Sequence, residues 1–160
     1  MSKSLKRVIA ALAEGGSPAT PLEMPDDTRT AAQAAAAAGC TIDQIAKSII
    51  FCGEHSGAAI LFITAGGNQV DQSRASELAQ EPLTRADAAL VRAQTGFAIG
   101  GVSPIGHLTP IRSFFDPRLL DFDVIWAAAG TPRHIFSIDP KRLITLSGAT
   151  VADSCKGKKT

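Results

Sequence analysis

The chain has 160 residues, 45% hydrophobic and 19% charged, with a formal net charge of +1. That balance fits a single folded domain over 1–160 and excludes a disordered chain, while the weak charge excludes a general electrostatic pull toward nucleic acid, leaving a local patch or a partner to supply any such binding. Apolar runs such as Ile60-Leu61-Phe62-Ile63 fall far short of the roughly 20 residues a bilayer span needs, and Met1 to Arg7 has no apolar stretch before a cleavage site, so a cytoplasmic protein with no membrane partner is expected.

Leu5, Val8, Ile9 and Leu12 recur at helical spacing between Ser4 and Glu14, and Gly15-Gly16 ends that helix. Thr20 to Met24, flanked by prolines, reads as an edge strand at most. Asp26 to Thr30 then supplies an N-cap for the alanine run Ala31 to Ala38, stopped by Gly39. A helix start beside Arg29 is either a plain cap or an anion site. Thr41 to Ile45 reads as a short capped helix. It leads into two β-rich runs, Lys47 to Cys52 and Ala58 to Thr64, joined by a glycine-containing loop as a hairpin. Neither run alternates strictly, which predicts strands covered on both faces. Lys47 stands at the mouth of the first, as a snorkelling surface lysine or as a functional cation.

Gly66 to Asp71 is a turn into a helix over Gln72 to Gln80 capped by Asp71. Pro82 opens a connector, and Ala86 to Gln94 is a further helix. Beyond the glycine-rich stretch 96–107, Ile111 to Phe115 predicts a strand and Pro117 to Leu120 a helical turn. Val124 to Ala128 and His134 to Ile138 make a second hairpin around Gly130-Thr131-Pro132. Pro140 to Leu146 is a helix opened by Asp139, Val151 to Asp153 a last short strand, and Lys156 to Thr160 a frayed basic tail. Helices interleaved with hairpins rather than with single parallel strands predict an α+β fold, a mixed and largely antiparallel sheet with helices outside it.

The stretch Gly96 to His107 holds four glycines and Pro104. Adjacent Gly100 and Gly101 followed by Pro104 describe backbone that turns sharply, exposes amides and is then held rigid. Such a loop is either a tight turn or a cradle for an oxyanion or phosphate. A dinucleotide fingerprint fails on context, because the glycines follow a helix and the spacing differs; a Walker lysine is also absent. No nucleophile–base pair stands out, and Cys40, Cys52 and Cys155 are expected as reduced thiols. His55, His107 and His134 show no metal-ligand pairing, so neither metal nor cofactor is expected. The remaining parts suit an enzyme that polarises a carbonyl and positions water without a covalent intermediate.

Thr28-Arg29-Thr30-Ala31, Ile45-Ala46-Lys47-Ser48, the loop 96–107 and Trp126-Ala127-Ala128-Ala129-Gly130-Thr131-Pro132 together resemble the YbaK-type trans-editing deacylases. These are free-standing relatives of the editing domain inserted in bacterial prolyl-tRNA synthetase, and the resemblance runs in order from about Thr28 to Asp153. It implies the barrel-like sheet of that editing-domain fold and a hydrolase that removes a wrong amino acid from aminoacyl-tRNA. The implied substrate is the 3′ acceptor end of tRNA for proline carrying cysteine, alanine or another small residue, with prolyl-tRNA synthetase as a partner. Lys47, Gly100 and Gly101 are the implied catalytic residues. Thr28, Arg29, Thr30, Val102, Ser103, Pro104, His107, Ala128, Gly130 and Thr131 are the implied substrate contacts. The family's cysteine-removing members carry a Ser-Gly-Gly-Lys-Arg type turn where this chain has Ala128 to Pro132, which leaves the amino acid open. A non-catalytic module that binds the acceptor end or a synthetase is the alternative.

Overall fold

The structure is a computed structural model, and residues 2–157 are described. Of the basic tail expected over Lys156 to Thr160, residues 158–160 lie outside the described residues. The elements are α1 (Lys3–Glu14), β1 (Leu22–Glu23), α2 (Ala31–Ala38), β2 (Ala46–Gly53), β3 (Ala59–Ala65), α3 (Gln72–Ala79), β4 (Leu83–Arg85), α4 (Ala88–Thr95), β5 (Arg112–Phe115), β6 (Ile125–Ala128), β7 (His134–Ile138), α5 (Pro140–Ser147) and β8 (Thr150–Val151). Short 3₁₀ turns occupy Ile42–Gln44 and Pro117–Asp121. No helix among the described residues is long and apolar enough to cross a membrane.

Two sheets form where one was expected. β1-β7-β6 is antiparallel, and β4-β2-β3-β5-β8 is mixed. A single parallel bridge, Ile45 with Trp126, joins them and bends the assembly toward a barrel. The expected hairpins are present, β2 with β3 and β6 with β7. The strands β3, β5 and β8 pair in parallel, which makes this sheet mixed, as expected. Long connections through α3, β4 and α4 carry the chain from β3 to β5, which is what parallel neighbours require. The segment after Pro82, expected as a connector, forms β4 against the end of β2, and α4 starts later than Ala86 because Asp87 caps it at the Leu90 amide.

The seven residues of β3 are all buried, as expected for a strand covered on both faces. β2 is not: its six central residues are only half-buried. The cause is local. β6 leaves β2 after the Ile45–Trp126 bridge and β4 joins it only from Phe51, so the edge between them borders a cleft.

Helix α1 closes the main core with Leu5, Val8 and Leu12, packed with Phe97 and Phe136. Its Arg7 reaches the loop expected to carry the site, donating to the carbonyls of Gly96 at 2.5 Å and Gly106 at 3.3 Å with its guanidinium 4.9 Å from the Phe97 ring centre. Loop 96–107 is therefore backed by a helix rather than left in solvent.

A polar anchor at the far end of β3 fixes a second turn. Asp116, 4% exposed, accepts from the Ala65 amide at 3.0 Å, the Asn68 side-chain amide at 2.9 Å, the Arg118 amide at 2.9 Å and the Cys155 thiol at 3.4 Å. Burial and this carboxylate push the Cys155 thiol up to about 12, so it stays protonated and donating. Asp116→Ala strands several buried donors at once and is expected to lower unfolding free energy by about 3 kcal/mol, read as a shift in the urea midpoint at unchanged slope.

Candidate active site

A cavity of about 620 Å³ lies between the β2 edge, the start of α2, the glycine loop and β6. Of the residues expected to contact substrate, Thr28, Arg29, Thr30, Lys47, Gly100, Val102 and Ala128 line it. Gly101, Ser103, Pro104, His107, Gly130 and Thr131 do not; they form the layer behind the wall.

That layer explains why the glycines are needed. Gly100 has φ +95°, a left-handed conformation that disfavours side chains. At Gly101 an added Cβ would stand 2.7 Å from the Thr131 carbonyl carbon and 2.9 Å from its Cα, so the loop and the 130–132 turn touch backbone to backbone. The same turn holds the start of α2, for Pro132 accepts from the Thr28 amide at 2.7 Å and from the Thr28 hydroxyl at 3.0 Å. Three segments far apart in sequence, 28–30, 100–104 and 130–132, thus form one unit.

Within the loop the Gly101 amide is already used, donating to the Ala98 carbonyl at 3.1 Å. The amides of Gly100 and Val102 donate to no protein acceptor among the described residues. The His107 ring lies 2.7 Å from the Ser103 carbonyl and edge-on to Phe97, away from the cavity. Burial, with the nearby Arg7 charge, lowers its pKa against the raising effect of the Ser103 carbonyl. A neutral imidazole donating to Ser103 makes His107 a brace for the loop. Thr131 pairs its hydroxyl with His134 Nδ1 at 2.6 Å.

At the α2 start, Thr30 accepts from the Gln33 amide at 3.1 Å while the Gln33 side chain accepts from Thr30 and Arg29 amides, a complete capping box. The cap reading accounts for Thr30, and Arg29 extends from it to a loose ion pair with Asp27 at 3.5 Å.

Lys47 is not a snorkelling surface lysine. Its ammonium donates to the carbonyls of Asn68 at 2.5 Å and Gly66 at 3.3 Å, leaving one of three N–H donors. Desolvation lowers its pKa, opposed by Cys155, Asp116 and Asp43. Asp116 holds Asn68 and so fixes the acceptor that Lys47 uses.

A conserved-domain profile described as the aminoacyl-tRNA editing domain matches residues 25–146. The chain belongs to the aminoacyl-tRNA editing domain family. This editing domain is 30% identical over 135 residues to the uncharacterized protein YwhH of Bacillus subtilis (strain 168), covering 84% of this chain and 85% of YwhH. Among solved structures it is 46% identical, with a TM-score of 0.91, to a candidate trans-editing enzyme for prolyl tRNA synthetase, over 98% of this chain and 99% of that one. It is 28% identical, with a TM-score of 0.86, to hypothetical protein APE2540, over 94% and 99% of the two chains. The YbaK-type resemblance and the editing-domain fold are thereby established.

Sequence reasoning passed over two lining residues of the editing domain. Arg85 is exposed at the cavity mouth, and no carboxylate reaches it among the described residues. It lies in the strand that was expected as a connector, so no signal marked it. Ser48 lies on the open β2 edge, and its hydroxyl is the only buried side-chain oxygen without a partner among the described residues. The sequence signal for Ser48 was present: a serine inside an otherwise apolar strand.

Proposed function

We propose that this editing domain is a trans-acting deacylase for mischarged aminoacyl-tRNA, with tRNA for proline carrying cysteine, alanine or another small amino acid as substrate. The observation that carries the reading is the junction of loop 100–104 with the 130–132 turn, which leaves the Gly100 and Val102 amides beside a cavity that Lys47 borders. An aminoacyl ester is already activated, so orientation and an oxyanion site are sufficient help. Water adds to the ester carbonyl. The loop amides hold the oxyanion, the C–O bond to the ribose breaks, and the proton from the attacking oxygen ends on the departing ribose oxygen. No protein nucleophile is required, in keeping with the absence of a nucleophile–base pair from the sequence.

The lining supports a small amino acid. Ala34, Ile45, Ala127 and Ala128 offer apolar walls for a short side chain. A methylene is worth about 1–3 kcal/mol of discrimination in such a pocket, so wall residues set which small residue is removed.

Arg29 and Arg85 at the cavity mouth suit phosphates of the acceptor end. Arg85→Ala is expected to raise KM for charged tRNA about fivefold, with kcat nearly unchanged and a weaker salt dependence. Hydrolysis of a phosphate-free 3′-aminoacyl-adenosine is expected to be unaffected by the substitution. Steady-state deacylation of both substrates at two salt concentrations checks this. Equal losses on both would remove Arg85 from phosphate binding, and no hydrolysis by the wild-type protein would overturn the deacylase reading.

A further inference from the structure

The edge of β2 has a gap. The Gly53 amide donates to Ala58 on the β3 side, and strand geometry alternates, so the peptide groups of Ala46, Ser48, Ile50 and Cys52 face the other edge. At one end that edge meets β6 through the Ile45–Trp126 bridge. At the other it meets β4, whose pairing begins with Phe51 opposite Arg85. Between them the N–H and C=O of Ser48 have no strand beside them, and both Ser48 and Trp126 line the cavity.

Unpaired peptide groups at a strand edge attract a partner with matching donors and acceptors. The gap is too short for an added strand, since pairing resumes within a few residues on both sides. One residue's N–H and C=O, side by side, match the edge of a single planar base. Adenine offers such an edge, a ring nitrogen that accepts and an amino group that donates. Every tRNA ends in adenosine, and a cavity of about 620 Å³ has room for that nucleoside beside a small amino acid.

We infer that the Ser48 peptide group reads the terminal adenine of the tRNA 3′ end, its N–H donating to a ring nitrogen and its C=O accepting from the exocyclic amine, with the Trp126 ring as the neighbouring apolar wall. This rests on the deacylase reading and assigns the second half of that cavity. Recognition of the base orients the ribose so that its ester meets the glycine loop. Because the contacts are backbone, Ser48→Ala keeps them, whereas Ser48→Pro removes the donor at an edge position that tolerates proline.

The test alters the substrate, so it does not depend on a variant folding. RNA microhelices ending in adenosine, in purine riboside (which lacks the exocyclic amine) or in cytidine are charged with the same small amino acid, and deacylation is measured as kcat/KM. The expected result is a loss of about tenfold for purine riboside and a larger loss for cytidine. With Ser48→Pro, the three substrates are expected to converge, while Ser48→Ala keeps the wild-type order. Equal rates for all three ends with the wild-type protein would overturn the inference and leave the deacylase reading intact. Failure to hydrolyse even the adenosine-ended substrate would overturn both.

Discussion

Gly101→Ala is expected to fold and to lose about 100-fold in deacylation. The added methyl stands within 3.0 Å of three backbone atoms of Thr131, none of which can move without carrying the 130–132 turn with it. Overpacking of that kind costs about 1–3 kcal/mol, too little to unfold a domain of ordinary stability. It does part the two turns, and a displacement of about 1 Å is enough to cost about 100-fold when rate depends on placement. Circular dichroism with single-turnover deacylation separates the two effects. A folded Gly101→Ala protein at wild-type rate would show that loop position does not matter.

Lys47→Met is expected to lose activity by a similar factor, about 100-fold, the upper range for a charge-assisted contact. Methionine keeps most of the apolar stem while removing the ammonium. The carbonyls of Gly66 and Asn68 lose their donor, but relief of the buried charge, visible in the lowered pKa of Lys47, offsets part of that cost. Stability is therefore expected to change by no more than about 1 kcal/mol. Lys47→Arg is not expected to rescue activity, because a planar fork does not reproduce an ammonium bound between two carbonyls. Activity retained in Lys47→Met would leave the loop amides as the whole of the catalytic apparatus.

Much of this architecture was legible because its signals are local. Asp71 and Asp139 each cap a helix, and β2 with β3 shows a hairpin pattern of apolar runs around a glycine turn. The parallel pairing of β5 with β3 was not legible, since nothing in Arg112–Phe115 specifies which edge it joins. β4 was hidden by its length of three residues and by Pro82 before it. The glycine loop stood out as a candidate site through its glycines, Pro104 and the family resemblance, but the division of labour within it was not legible. Gly100 and Val102 keep their amides open while Gly101 spends its own on Ala98, which depends on how the loop folds back. Likewise Lys47 stood out at a strand mouth, whereas its anchoring by Gly66, Asn68 and Asp116 required tertiary contacts across three turns.

The central claim is tested most directly by incubating the purified protein with tRNA for proline charged in turn with alanine, cysteine, serine, threonine or proline, with Lys47→Ala alongside. Rapid release of one or two small amino acids, slowed by Lys47→Ala and sparing prolyl-tRNA, is the predicted result. Binding of the charged tRNAs with every ester left intact would contradict catalysis and make this chain an acceptor-end binding module.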